Sequence, residues 1–215
     1  MNLLDLIFPP TCEYCGKIGK YVCDDCYKKV IFLELKKNEK NDKFFMYKYD
    51  GEIRTLLLKY KFRDKSYLCS FFAEKICNCY EASVFINQYD MIIPVPLHKK
   101  RLLERGYNQA SEVAKRIANE KNKEFNTLKK IKCETSVLKK CKNIQPQSIQ
   151  NGSSRKKNVK NAFYVKNAEK IKDKKILIFD DIYTTGATAN ECKRVLIAAG
   201  AKQCGIMTIA KDYMK

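Results

Sequence analysis

The sequence predicts an α/β fold with a mainly parallel sheet flanked by helices, and three observations carry that reading. Ile176–Phe179 is an unbroken apolar run, as expected of a strand buried on both faces. Asp90–Val95, DMIIPV, is a second such run, ended by Pro94 and Pro96. A helix-period pattern follows each: Val195, Leu196 and Ala199 after the first, and Ala110, Val113, Ala114, Ile117 and Ala118 after the second. Alternating strands and helices build a parallel sheet covered on both sides.

Composition sets the outer bounds. With 215 residues, 45% hydrophobic and 31% charged, the chain has the balance of an ordinary globular protein with room for one α/β domain and a small appendage. No apolar stretch is long enough to span a membrane, and MNLLDLIFPP lacks the basic leader of a signal peptide, so a cytoplasmic protein is expected. The net charge of +19 favours anionic partners such as nucleotide phosphates or nucleic acid. The lysines are spread along the whole chain, so a solvated lysine-rich surface accounts for part of that excess. Eleven cysteines, an odd number, argue against a disulfide framework.

From the N-terminus, Cys12-x-x-Cys15 and Cys23-x-x-Cys26 come first, separated by seven residues. Each pair makes a tight turn that aims two thiolates at one centre, and Gly16 suits the left-handed position after the first. Together they supply the four-sulfur shell that zinc prefers, and a segment this short would fold on its metal. A thioredoxin-like redox pair is the rival, but it calls for one pair in a βαβ unit. A structural zinc on Cys12, Cys15, Cys23 and Cys26 is expected, with residues 1–35 as a zinc-binding segment and 36–215 as the main domain. The other seven cysteines read as small core or surface residues.

After the polar stretch Lys36–Asp42 and the segment Phe44–Tyr49, two amphipathic patterns follow, Glu52–Phe62 and Tyr67–Tyr80. They define a helical cap region (36–85) ahead of the first expected sheet strand, and Lys59, Lys61 and Arg63 are placed to reach a phosphate. Between the strand Asp90–Val95 and its helix lies Leu97–Gln109, rich in Lys99, Lys100, Arg101 and Arg105 and suited to a second anionic group. His98, the one histidine, has no visible acidic partner, which favours a structural or phosphate-contacting role over a general base. The polar segment 141–158 reads equally as a closing loop or an insertion. Ala162–Val165 and Cys204–Ala210 supply further strand signals.

The stretch Lys175–Thr188, KILIFDDIYTTGAT, organises the rest. Asp180 and Asp181 stand where the strand is expected to end, and Thr184, Thr185, Gly186, Ala187 and Thr188 open a helix that Gly200 stops. Backbone N–H groups at a helix start and threonine hydroxyls donate to phosphate. The sequence matches neither a Walker A loop nor GxGxxG. Adjacent carboxylates beside a phosphate site suit a ligand that also offers hydroxyls or a bound divalent cation, and a ribose 5-phosphate meets both demands. An acidic turn capping a helix is the bland alternative, and it explains neither the double Asp nor the Thr-Thr-Gly.

Residues Ile176–Thr188 resemble the signature of type I phosphoribosyltransferases. PVPLHKKRLLERGYNQA, together with the four-cysteine motif, resembles the ComF family (competence protein FC-like), from about Leu3 onward. The family's later pattern is partly matched by Gln147-Ser148, Arg155, Asn158-Val159 and Ala162-Phe163, with Gln150 in place of its Leu and Ser148 in place of its Thr. The resemblance implies phosphoribosyl pyrophosphate (PRPP) bound with magnesium and transfer of the phosphoribosyl group to a nitrogen acceptor. Asp180 and Asp181 would then hold the ribose diol and stabilise an oxocarbenium-like centre. Thr184–Thr188 would cradle the 5′-phosphate, and Lys100, Arg101 or Arg105 would stabilise the leaving group. It also implies a link to DNA uptake in natural competence. The alternative is a non-catalytic PRPP sensor that binds single-stranded DNA, with Tyr107 or Tyr183 as stacking residues. A zinc-stabilised protein–protein adaptor leaves the Asp-Asp-Thr-Thr-Gly loop unexplained.

Overall fold

The computed structural model describes residues 9–29, 42–62, 65–123, 130–141 and 159–213. The start of the family resemblance, most of the 36–42 stretch, Arg63 and all but Cys141 of the 141–158 segment lie outside these residues.

Five strands form one parallel sheet in the order β1-β7-β6-β2-β3: β1 Lys43–Lys48, β7 Gln203–Lys211, β6 Lys175–Tyr183, β2 Met91–Pro94 and β3 Lys132–Cys133. The fold class is thus the one the apolar runs call for. The run Ile176–Phe179 is fully buried, and the period of two divides it between two cores. Leu177 and Phe179 join Ile92, Met207 and Ile209 on one face, whereas Ile176 and Ile178 join Ile93 and Ile206 on the other.

Helices α2 (Gly51–Phe62), α3 (Leu68–Cys77), α4 (Tyr80–Ile86) and α6 (Gln109–Lys123) bury their apolar sides in the first core. Helix α7 (Ala187–Ala198) covers the second with an antiparallel ribbon of β4 (Leu138–Lys140) and β5 (Phe163–Val165). Two sequence expectations change here. Phe44–Lys48 belongs to a sheet strand, β1, that precedes the cap helices and, among the described residues, pairs with β7 alone. The strand signal at Ala162–Val165 belongs to the ribbon and not to the sheet. Its partner lies at Leu138–Lys140, too short a segment to show a period.

The N-terminal clip packs onto this body. Short helix α1 (Asp24–Tyr27) follows Cys23, and Cys12, Val22, Cys23 and Cys26 are buried within the first core. Tyr21 stacks on Tyr67 with centroids 4.2 Å apart, and the Tyr27 and Tyr47 hydroxyls lie 2.9 Å apart. Among the described residues no helix is long and apolar enough to cross a membrane.

Candidate active site at the sheet's switch point

After β2 the chain crosses through α5 (Lys99–Arg105) and α6 to β3 on one side, and after β6 it crosses through α7 to β7 on the other. Because β2 and β6 are neighbours, their carboxyl ends flank the crevice where winding reverses, which is where open α/β sheets bind ligands. A cavity of about 160 Å³ lies there. Its walls combine Val95–Leu97 after β2, Asp180 and Asp181 of β6, Thr188 of α7, Arg101 and Arg105 of α5, Lys61 of α2 and Lys140 of β4.

The acids differ from expectation in one respect. They do not follow the strand but lie within it, since β6 stays paired with β7 as far as Tyr183↔Lys211 while its pairing with β2 stops at Pro94↔Phe179. Both carboxyls therefore emerge where one neighbour has left. Both acids line the one cavity, and their partners overlap at Lys61. Asp181 pairs with Lys61 Nζ at 2.9 Å, with both side chains largely buried. Asp180 Oδ1 accepts from the Asp181 N–H at 2.9 Å. Burial, and then the negative charge of Asp181, push the Asp180 carboxyl up to about 7, with Lys61 and Lys140 opposing.

The cations show the complementary effect. Burial, with the charge of Arg105 adding to it, depresses Arg101. Burial and the charge of Arg101 depress Lys140, with Asp180 opposing. Burial thus works against the charged forms of Arg101 and Lys140 and of the Asp180 carboxyl alike.

The remaining predicted residues fall around this cavity. Gly186 is buried at φ +75°, with a left-handed backbone at the entry to α7. A Cβ there would lie 2.1 Å from the Tyr183 hydroxyl, so only glycine lets the loop close under that ring. Thr185 Oγ1 accepts from the Ala187 N–H at 3.3 Å, and Thr184 is exposed beside them. Lys100 is exposed and does not line the cavity. His98 caps α5, its Nδ1 accepting from the Lys100 N–H at 3.3 Å. Asn108 ties α6 to the sheet, donating from Nδ2 to the Val95 carbonyl at 3.0 Å and accepting from the Ser111 N–H.

Sequence reasoning did not single out Lys140 or Gln109. Lys140 sits among several lysines and is brought to the site by the β4–β5 ribbon, a contact no local pattern marks. Gln109 reads in the sequence as the end of the basic loop Leu97–Gln109; the fold makes it the first residue of α6 and buries it.

In the N-terminal clip, the Sγ atoms of Cys12, Cys15, Cys23 and Cys26 all lie within 4.8 Å of one another. Cys15 and Cys23 Sγ are 3.6 Å apart, close to the edge of roughly 3.8 Å that Zn–S bonds of about 2.3 Å give a tetrahedron. The donor set fits a thiophilic metal ion such as zinc.

Residues 102–213 match the family described as "Phosphoribosyl transferase domain". "Competence protein F" of Haemophilus influenzae is 24% identical over 207 residues, covering 94% of this chain and 85% of that protein. "Competence protein ComFC" of Bacillus subtilis is 27% identical over 195 residues, covering 88% and 72%. A solved structure of the glutamine PRPP amidotransferase from B. subtilis, 15% identical, aligns over 70% of this chain and 30% of that one with a TM-score of 0.42. The chain belongs to the phosphoribosyl transferase domain family, as a ComF-type protein of the type I class.

Proposed function

We propose that the protein binds PRPP with magnesium at the switch-point cavity and transfers the phosphoribosyl group to a nitrogen acceptor. The observation that carries this reading is the placement of Asp180, Asp181 and four cations in one cavity beside the start of α7. In this reading the two acids hold the ribose diol, and the amides and hydroxyls of Thr184–Thr188 hold the 5′-phosphate. Arg101, Arg105 and Lys140 hold the pyrophosphate. Hard oxygen donors such as these carboxylates suit magnesium, which when bound with PRPP supplies neutralising charge at the pyrophosphate. The acceptor's nitrogen lone pair forms the bond to the anomeric carbon as the carbon–oxygen bond to pyrophosphate breaks. The electron pair leaves with pyrophosphate, and the nitrogen gives up a proton. The acids favour positive charge developing on the sugar, and the cations favour the leaving group.

Calorimetric titration with PRPP and Mg²⁺ tests the binding half. Asp181→Asn is expected to weaken it by about 10-fold or more, the scale of one lost charged hydrogen bond. An affinity equal to that of the parent protein would overturn the assignment of the acids. Pyrophosphate release across nitrogen acceptors tests the transfer half.

The four-cysteine cluster is read as a structural zinc site, with all four ligand positions taken by sulfur. One observation favours an additional role in binding single-stranded DNA. A groove of about 400 Å³ between α6 and β3, away from the candidate site, is lined by Lys115, Lys130 and Lys132 with Asn119 and Asn122. Affinity for a single strand that falls steeply with salt, and falls further in Lys115→Ala, would support that role.

A further inference from the structure

The cations of the cavity are not equivalent. Arg105 donates from Nη1 to Gln109 Oε1 at 3.1 Å, and its guanidinium carbon lies 4.9 Å from the Phe62 ring centroid. Lys140 Nζ stands 5.4 Å from the Phe163 ring centroid. Lys61 pairs instead with an acid, its Nζ 2.9 Å from Asp181 Oδ2, and the two side chains are only 16% and 14% exposed. Of the two lysines whose charge acts on Asp180, Lys61 has the larger effect. One ammonium thus serves both carboxyls, the hard oxygen donors that a divalent cation would need.

The last turn of α2 aims that ammonium. Just before Lys61, the buried Tyr60 donates from its hydroxyl to the Gln109 carbonyl, its own carbonyl accepts from the Tyr107 hydroxyl, and Lys59 Nζ lies 3.1 Å from Glu13 Oε2. The protein's own groups therefore already balance the acids. Lys61 neutralises Asp181, and burial beside that carboxylate favours a proton on Asp180. A divalent cation arriving by itself has to displace both, and it leaves the ammonium in a largely buried place without a counter-charge. A cation arriving on a polyphosphate brings phosphate oxygens for the ammonium to move to. Lysine, a point charge on a flexible stem, is suited to that exchange.

We propose that Lys61 is a specificity-determining residue: it closes the acid pair to a free divalent cation and opens it to one carried by a polyphosphate, by moving its ammonium from Asp181 to a phosphate oxygen. Lys61 thereby makes cation binding conditional on phosphate binding. The site discriminates against the bare ion by leaving a buried charge unpaired, not by lacking ligands for it. This inference rests on the phosphoribosyl reading of the cavity.

The test titrates two probes, Mn²⁺ alone and PRPP with Mg²⁺, into the full chain with zinc on its cysteine clip. Lys61→Met keeps the length of the side chain and removes its charge. It is expected to bind free Mn²⁺ about 10-fold tighter than the parent and PRPP with Mg²⁺ about 10-fold weaker, each the scale of one charged hydrogen bond. The opposite signs separate the exchange from a fold defect, which weakens both. Lys61→Arg, which retains a cation, should bind free Mn²⁺ as weakly as the parent. Free Mn²⁺ bound no tighter by Lys61→Met, or bound as tightly by Lys61→Arg as by Lys61→Met, overturns the exchange while the phosphoribosyl reading stands. So does an affinity for PRPP with Mg²⁺ that Lys61→Met leaves unchanged. PRPP with Mg²⁺ that does not bind the parent protein overturns both.

Discussion

At the candidate site, burial and charge bear most heavily on Asp180. Burial and the charge of Asp181 raise its carboxyl from the ordinary carboxylate range to about 7, so between pH 4 and 7 the folded state holds a proton that the unfolded chain has already released. By linkage, the stability this residue contributes is complete below pH 4 and is lost as pH rises toward 7. Asp180→Asn has no proton to release. Its stability relative to the parent is expected to grow between pH 4 and 7 and then level off, by up to about 4 kcal/mol for a shift of roughly three pH units. Urea midpoints of both proteins at pH 5 and pH 8 measure this, and parallel pH profiles would contradict it. In the proposed reading, a sugar diol bound with a divalent ion would favour the ionised form of this carboxyl.

Helix α2 is the element that joins the two halves of the molecule. Lys59, on one side, contacts Glu13 of the cysteine clip, and Lys61, on the other, contacts Asp181. Between them the Tyr60 hydroxyl donates to the Gln109 carbonyl at 2.9 Å, and the Tyr107 hydroxyl donates to the Tyr60 carbonyl. Glu13 is the hub of the clip side, reached by Lys59, Lys65 and the Tyr67 hydroxyl, with only 8% of its side chain exposed. Burial raises its carboxyl, but the Tyr67 hydrogen bond and the two lysines outweigh that and hold it below its ordinary range. A depressed carboxyl contributes stability that is present above its unfolded pKa and lost as pH falls through its lower folded one. Glu13→Gln is expected to cost about 1–3 kcal/mol at neutral pH, the range for breaking a buried charged hydrogen-bond network, and less below pH 4. Thermal melts at pH 7 and pH 3.5 check both the size and its decline.

At the scale of the whole molecule, Cys12, Cys23 and Cys26 share one continuous core with α2, α3 and α6, so the clip and the body are expected to unfold together. Stripping the metal with a chelator should lower the melting temperature of the full chain by roughly 5 °C or more, as structural zinc supplies folding energy outright. A single transition that shifts is the expected trace, and an unmoved melting curve would remove the metal from the stability of the body.

Much of this architecture is written locally. Unalternating Ile176–Phe179 and Met91–Ile93 announce strands covered on both faces, because only a two-sided core has a use for such runs. The paired Cys-x-x-Cys turns announce a four-sulfur cluster, because chain geometry brings each pair together within four residues. What lies between remote segments is not local. Phe44–Tyr49 carries no unambiguous period, and β1 is an edge strand because β7 leaves that edge open. Lys140 reaches the cavity because a three-residue strand pairs across the ribbon, and Gln109 is buried because α6 begins against the sheet.

The sequence by itself determined the strand that bears the acids, the glycine turn after it and the four-cysteine cluster, since each depends on residues close together in the chain. Only the tertiary structure decided that Asp180 and Asp181 stand inside a paired strand, in one cavity with Lys61 and Lys140. Those cations come from residues 40 to 120 positions away, and strand order, not residue spacing, sets which of them share a cavity.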